Sequence, residues 1–548
     1  MTRIADIYRR IEADDRPEVF LALRPEAEVA AEYTASLAAG GPLAGVVLAV
    51  KDNVDVAGLP TTAACPGYAY RPAADAAAVA ALRAAGAVVI GKTNLDQFAT
   101  GLVGTRSPFG AVRDSRRPDR ISGGSSSGSA VAVALDYADI AIGTDTAGSG
   151  RVPAGLQGIV GIKPTIGAVS TDGVVPACAS YDCVTVFARD VATAGRAMAV
   201  MGTTGTRRWG ADTPFAAAPD ATLAIPAELP ALPASWREAF DGAVARAEAA
   251  GLRVKPVDVS ELLAAAKLLY DGALVAERYS AVGEFVTAAG DDAGLDPTVA
   301  GIVRAAGEVP AHRLASDQAE LRAIAVRAAA LFDGFAGLMV PTAPRHPTLA
   351  EVAADPVGVN SEMGTYTNFC NLLDLCGVAV PAGETADGAQ FGITVLAPAG
   401  HDGVALDLAA RITGAQPVAP WNLGLAGAVD LAVFGAHLRG QPLEHQLTSL
   451  GAHWAGEIRT VGEYRLVELA TTPPKPGLVH DTDHGRGIRG ELWRLAPAAL
   501  GTFLTRLPAP MTLGSVMLDD GRAVVGFGCQ ASALSDAREL DVDHWLDR

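Results

Sequence analysis

Two segments of this chain expose hydroxyl groups against bare backbone: Ser122-Gly123-Gly124-Ser125-Ser126-Ser127-Gly128-Ser129 and Gly143-Thr144-Asp145-Thr146-Ala147-Gly148-Ser149-Gly150-Arg151. A serine hydroxyl becomes a strong nucleophile only when a base takes its proton. The first histidine is His312, downstream of both segments, so a Ser-His-Asp triad would have to draw its base from the far half of the chain. Lys51 is the nearer base, at the end of the apolar run Val46 to Val50 and just before Asp52-Asn53. Burial and neighbouring charges lower a lysine's pKa, and a neutral amine accepts a proton. Of 43 basic residues only six are lysine: Lys51, Lys92, Lys163, Lys255, Lys267 and Lys475. Arginine stays protonated and cannot replace a basic lysine. The pattern therefore points to a Ser-Ser-Lys site, with Ser149 as nucleophile and Ser125 relaying its proton to Lys51. The backbone N–H groups of Thr146, Ala147 and Gly148 are the expected oxyanion donors; loss of one such donor typically costs about 10²–10³ in rate.

The elements that must position these groups alternate. Ala73 to Ala85 reads as helix and Ala87-Val88-Val89-Ile90 as strand, with Asn94 as the cap of a helix beginning Leu95-Asp96-Gln97-Phe98. Ala130 to Leu135 reads as helix, Ile140 to Ile142 as strand, and Gly158 to Ile162 as a further apolar run. These segments abut Ser122–Ser129 closely on both sides, which excludes a flexible Gly/Ser linker there. Residues 235–335 have a strongly helical pattern. Such alternation predicts an α/β layer fold with helices on both faces of a parallel or mixed sheet. A break in pattern at Gln416 to Gly424 and a new apolar strand at Asp430 to Phe434 predict two domains, residues 1–425 and 430–548. Six of the nine histidines fall in the second.

A length of 548 residues, 50% of them hydrophobic, fits two or more globular domains. A net charge of −18 argues against nucleic acid as a main partner and against acidic membranes. No run approaches the ~20 apolar residues of a membrane span. The first ten residues lack a secretory h-region, so a cytoplasmic location is expected. The six scattered cysteines read as free thiols, although Cys178 and Cys183 would be able to bridge in an oxidising compartment. No zinc spacing and no nucleotide-binding loop is present, so neither metal nor cofactor is expected.

Lys51-Asp52-Asn53, Gly123-Gly124-Ser125-Ser126 and Asp145-Thr146-Ala147-Gly148-Ser149, with 24 positions between the two serines, resemble the amidase signature enzymes. The signature stretch spans about residues 120–165, and the likeness runs through residues 40–415. It implies a mixed β-sheet flanked by helices, Lys51 as base, Ser125 as bridging serine in a cis peptide after Gly124, and Ser149 as nucleophile. Ala147 stands where the family often has glycine, and Arg151 matches an arginine expected to be structural.

Asp96 to Pro108, Leu269 to Tyr279 and Gly364 to Leu375 further resemble the allophanate hydrolases. That likeness implies a small anionic amide substrate whose carboxylate is held by Tyr270 and Arg278, eight positions apart, with a backbone contact from Gly101. A planar guanidinium suits the task because it bonds a carboxylate through two parallel N–H groups. Val433 to Leu447 resembles the C-terminal domain of the same family, a small α+β unit related to the γ-glutamylcyclotransferase fold. There the likeness implies decarboxylation of the first product, with His445 as the acting histidine and His437 as the second choice. Glu444 stands where relatives often have asparagine. The resemblance also implies a homodimer, and a urea carboxylase or a biuret-forming route as the source of allophanate. A general small-amide amidase, or a glutaminase-type amidotransferase component, remains the alternative, with the C-terminal domain then a non-catalytic assembly module.

Overall fold

Short runs of valine, isoleucine and alanine without polar alternation fit strands that are covered on both faces, and here they form such strands. The computed structural model describes residues 3–230, 232–270, 272–416, 418–421 and 427–548. The chain divides into two compact units, Met1–Arg207 with Thr222–Trp421, and Arg208–Ala221 with Asn422–Arg548.

Among the described residues the first unit contains an eleven-stranded sheet. Its strands are β1 (Phe20–Leu23), β2 (Val47–Lys51), β3 (Val88–Thr93), β4 (Ile140–Asp145), β5 (Val160–Lys163) and β6 (Cys183–Ala188), then β7 (Thr222–Pro226), β8 (Arg253–Val257), β9 (Gly337–Pro341), β10 (Cys376–Glu384) and β11 (Gln390–Ala397). They are ordered β1-β3-β2-β4-β6-β5-β10-β11-β9-β7-β8. β2 runs parallel to both β3 and β4, whereas β6 lies antiparallel to β4, so the sheet is mixed. Every residue of β2, β3 and β4 is buried. Helix Ser127–Ala134 packs on these strands and helix Val191–Met201 on β5 and β6. The parallel trio ends at Lys51, Thr93 and Asp145, and the carboxyl ends of parallel strands are where α/β sheets place their ligands. A register shift between Leu48 and Ala49 pairs Lys51 with Thr93.

Three local expectations need correction. The helix expected over Ala73 to Ala85 spans Ala77–Ala84. No helix starts at Leu95; a 3₁₀ turn, Gln97–Ala99, stands there, with Phe98 at φ 51°. The Asn94 side chain accepts from Leu95 N at 2.8 Å and from Ser107 Oγ at 2.7 Å rather than from a helix turn. The Asp96 carboxylate accepts from the N–H groups of Val103, Gly104 and Arg106 at 3.2, 3.0 and 2.9 Å, which folds the loop back on itself. The helical stretch 235–335 is interrupted by β8, an edge strand with Pro256 inside it.

The second unit adds β12 (Val429–Val433), β13 (His453–Arg459), β14 (Tyr464–Leu469), β15 (Lys475–His480), β16 (Arg489–Leu495), β17 (Met511–Met517), β18 (Ala523–Cys529) and β19 (Arg538–Glu539). These form a five-stranded sheet, β13-β16-β12-β18-β17, and a three-stranded one, β15-β14-β19, with helix Pro497–Thr505. Segment 208–221 belongs to this unit: Phe215 is fully buried and its N–H donates to Gly451 O at 3.0 Å. No residue pattern in the sequence signals that assignment. The break expected at Gln416 to Gly424 falls partly on residues 417 and 422–424, outside the described residues. Among the described residues, no helix is long and apolar enough to cross a membrane.

Candidate active site

Lys51 is wholly buried at the end of β2, and its Nζ lies 2.8 Å from Ser125 Oγ and 2.7 Å from Thr144 Oγ1. Ser125 Oγ lies 3.0 Å from Ser149 Oγ, so the three expected groups form one unbroken line of hydrogen bonds. With a protonated amine the bonds run outward from Lys51; with a neutral amine the same distances carry a proton from Ser149 inward. The Gly124–Ser125 peptide is cis. A Cβ on Gly124 would fall 2.1 Å from Asp96 Oδ2, so no other residue fits under that turn. Burial brings the Lys51 amine down to about 7, against the opposing pull of Asp96, Asp145 and Asp182 and with a smaller push from Arg278. Lys92 and Lys163 are also buried, but Lys92 pairs with Asp52 at 3.0 Å and Lys163 donates to the carbonyls of Pro164 and Leu375. Of these three lysines, only Lys51 has hydroxyls alone as hydrogen-bond partners.

The turn that carries Ser149 is clamped by an ion pair the sequence reading did not assign. Arg151 Nε and Nη2 donate to the two Asp145 oxygens at 2.9 and 3.0 Å, both side chains being fully buried. The same carboxylate accepts from Gly148 N at 2.9 Å and Gly150 N at 3.0 Å. Burial alone would raise the Asp145 pKa, but Arg151 overrides it and holds the group below the usual carboxylate range. Arg151 also reaches Thr367 O and Asn371 Oδ1, and Asn371 Nδ2 returns to Asp145 O at 2.7 Å. Arg151 is thus structural, as the sequence implied.

One expected donor is corrected by this clamp. The Gly148 N–H is held by Asp145 and is not free for an oxyanion. Glycine is required there for another reason: its φ is 131°, and a Cβ would meet Thr367 Oγ1 at 2.4 Å. Among the described residues no acceptor engages the N–H of Ala147 or Ser149. The Thr146 N–H likewise has no acceptor among the described residues, while its side chain donates to Asp182.

Arg278 and Tyr270 come together as expected. Arg278 Nη2 donates to Tyr270 Oη at 2.8 Å and Nη1 to Thr100 Oγ1 at 2.8 Å. The guanidinium is 2% exposed, its Nε has no partner, and no carboxylate lies within ion-pair distance among the described residues. Gly101 adjoins Thr100 and packs on the Asp96 side chain. Thr100, Thr144, Asp96 and Asp145 are the groups the sequence reading missed; the Asp145…Arg151 pair inside one short turn is a signal that would have found two partners of the clamp.

In the second unit His437 and His445 border one cavity of about 320 Å³. His437 is packed: its ring stacks on Phe527 at 5.0 Å and its Nε2 lies 3.0 Å from Gln446 Oε1. Burial holds it below the usual histidine range against that bond, with His445 and Lys475 adding to the effect. His445 is exposed, with Nδ1 2.9 Å from Pro442 O. Glu444 accepts from Gly440 N at 2.7 Å and closes the turn before His445. All six cysteines are free thiols. Among the described residues no cluster of three or more histidine, cysteine or acidic side chains is arranged to hold a metal ion.

The amidase family profile matches residues 4–406, and that of the allophanate hydrolase C-terminal domain matches residues 429–545. The chain is 40% identical over 532 residues to the urea amidolyase of Saccharomyces cerevisiae, an alignment covering 91% of this chain and 29% of that protein. The chain therefore spans less than a third of the length of that relative. A component of the glutamyl-tRNA(Gln) amidotransferase of Acidobacterium capsulatum is 33% identical over 392 residues, covering 65% of this chain and 82% of that one. The solved structure of Kluyveromyces lactis allophanate hydrolase superposes with a TM-score of 0.86 at 37% identity, covering 99% of this chain and 95% of that chain.

Proposed function

This chain belongs to the amidase family, in the form that carries an allophanate hydrolase C-terminal domain, and on that premise we propose that it hydrolyses allophanate (urea-1-carboxylate). The first product pair is ammonia and N-carboxycarbamate. Lys51, neutral above about pH 7, takes a proton from Ser125 as Ser125 takes one from Ser149. The Ser149 oxygen attacks the terminal amide carbonyl, and the N–H groups of Thr146, Ala147 and Ser149 are the donors available to stabilise the oxyanion. The proton returns along the same line to the leaving nitrogen, ammonia departs, and water attacks the acyl-serine by the same base. Across the cycle, allophanate and water give ammonia, N-carboxycarbamate and one proton.

The observation that carries this reading is the buried Arg278, which has no carboxylate within ion-pair distance among the described residues. An unpaired charge in the interior is costly, and a substrate carboxylate would meet it through two hydrogen bonds beside the Tyr270 hydroxyl. Gly101, next to Thr100, would add a backbone contact to the substrate. In the second unit His445 supplies the proton for loss of carbon dioxide from N-carboxycarbamate, after which the second ammonia follows. The same reading takes the chain to be a cytoplasmic homodimer, a compartment supported by the free thiols, fed by a urea carboxylase or a biuret-forming route. Light scattering on the purified protein checks the dimer.

A substrate panel scored by ammonia release tests the activity: allophanate, malonamate, biuret, glutamine and simple amides. Allophanate is expected to be turned over best and neutral amides poorly. Glutamine turned over as well as allophanate would overturn the assignment in favour of the amidotransferase-type reading.

A further inference from the structure

Two asparagines of helix Asn368–Leu372 differ in how their amides are used. Asn371 is fully committed: its Nδ2 donates to Asp145 O at 2.7 Å and to Tyr181 O at 2.9 Å, and its Oδ1 accepts from Arg151 Nη2 at 3.0 Å. Asn368 is 7% exposed, its Oδ1 has no hydrogen-bond partner, and its Nδ2 makes no hydrogen bond among the described residues. A buried amide left unpaired is destabilising, and folded proteins retain few of them. This one borders a cavity of about 390 Å³, and Tyr270, whose hydroxyl accepts from Arg278, is in the same wall. Lys267 lines the cavity too, and no aspartate or glutamate is among its described lining residues. The residue before Asn368 holds the nucleophile's turn: Thr367 Oγ1 donates to Ala147 O at 2.7 Å. Asn368 thus adjoins the support of Ser149 along the chain and shares a cavity with the carboxylate-holding tyrosine.

We propose that Asn368 is a specificity-determining residue that reads the N–H joining the amide carbonyl to the carboxylate of the substrate, Oδ1 accepting from that nitrogen while Nδ2 donates to a carboxylate oxygen. The inference deepens the assignment of allophanate as substrate and rests on it. In allophanate, H₂N–CO–NH–COO⁻, an N–H donor and a carboxylate oxygen lie side by side on adjacent atoms. A primary amide presents the complement, an acceptor and a donor on one carbon, so the two edges meet through two parallel hydrogen bonds. Arg278 and Tyr270 bond only the carboxylate, which malonamate, H₂N–CO–CH₂–COO⁻, shares. Against that CH₂ the Asn368 oxygen stays unpaired, and a site built to bond an N–H rejects the analogue that lacks it. Asn368 contacts the substrate and transfers nothing.

The test compares kcat/KM for allophanate and for malonamate, by ammonia release, in the full parent chain and in Asn368→Leu and Asn368→Ala. The two substrates differ in intrinsic reactivity, and comparing their ratio between parent and variant cancels that difference. Both substrates lose the Nδ2 contact in the variants, but only allophanate loses the Oδ1 contact. The allophanate-to-malonamate ratio is therefore expected to fall about tenfold in each variant. Leucine roughly keeps the volume and alanine adds no bulk, so a fall shared by both comes from the amide and not from packing. An equal loss for both substrates, with the ratio within about twofold of the parent, overturns the proposal and makes Asn368 a structural residue. A parent that hydrolyses malonamate but not allophanate overturns the substrate assignment and this proposal with it. A parent that hydrolyses allophanate, with a ratio the variants leave unchanged, overturns this proposal alone.

Discussion

In the first unit, Lys51, Ser125 and Ser149 are all buried, successive polar atoms lie 2.8 and 3.0 Å apart, and the nucleophile's turn is fixed by the Asp145–Arg151 pair. In the second, His445 and Arg506 are exposed at a cavity of about 320 Å³, and Lys475 is half-buried with no acidic side chain within ion-pair distance among the described residues. Among the described residues the first site has the side chains of Lys51, Ser125, Ser149 and Arg278 hydrogen-bonded before a substrate arrives, leaving the N–H groups of Thr146, Ala147 and Ser149 open and Arg278 without an ion pair. The second commits His437, through Gln446 and Phe527, and holds His445 by one ring nitrogen to Pro442 O. Acyl transfer needs donors aligned in advance on a charge that develops during the reaction, and rigidity supplies that. Loss of carbon dioxide from an unstable anion needs mainly a holder and a proton, and a looser site suffices.

The comparison breaks most sharply at Ser149. Ser149→Ala is expected to abolish ammonia release from allophanate; residual turnover near the parent rate would remove the covalent route. Lys51→Arg should follow closely, since charge and size are roughly kept but the base is gone. A fall of about 10²–10⁴ in kcat is expected, measured by continuous ammonia assay, and near-normal turnover would refute the base. The acid limb of the pH profile sharpens the point. Burial, outweighing Asp96, Asp145 and Asp182, lowers Lys51 to about 7. The amine is charged below that pH and neutral above it, so kcat/KM should rise as pH increases through about 7 and then level. A smaller effect is expected in the looser unit. His445→Ala should leave release of the first ammonia within about twofold of the parent while N-carboxycarbamate, followed by time-resolved detection of ¹³C label, decays no faster than in buffer. Identical decay in parent and variant would return the second unit to an assembly role.

The same contrast explains what was legible in the residues. Lys51, Ser125 and Ser149 were readable because glycine-rich turns, scarce lysines and strand-end placement all pointed at one site. Thr144 and Asp96 were not, because each acts through strand register or loop return: Thr144 meets Lys51 only because β2 and β4 lie side by side. The Gly148 donor was misassigned because backbone N–H direction depends on which side chain claims it, and Asp145 claims this one. The helix expected after Asn94 failed for a similar reason, as Asp96 gathers three N–H groups of a later loop. Segment 208–221 packs with the second unit through Phe215, a long-range partnership with no local signature. A truncation near Gly427 would uncover that phenylalanine, so substitutions at His445 test the second unit more cleanly than deletion.

The most direct measurement is the ratio of kcat/KM for allophanate to that for a neutral amide of similar size, in the parent and in Arg278→Leu. Loss of a paired charge-assisted contact costs about 1.5–3 kcal/mol or more, about tenfold to over a hundredfold, and should fall on allophanate alone. The account predicts that the ratio collapses by at least tenfold while neutral-amide turnover holds. An equal fall for both substrates would contradict it, making Arg278 a structural partner of Thr100 and Tyr270 and removing the reason to assign an anionic substrate.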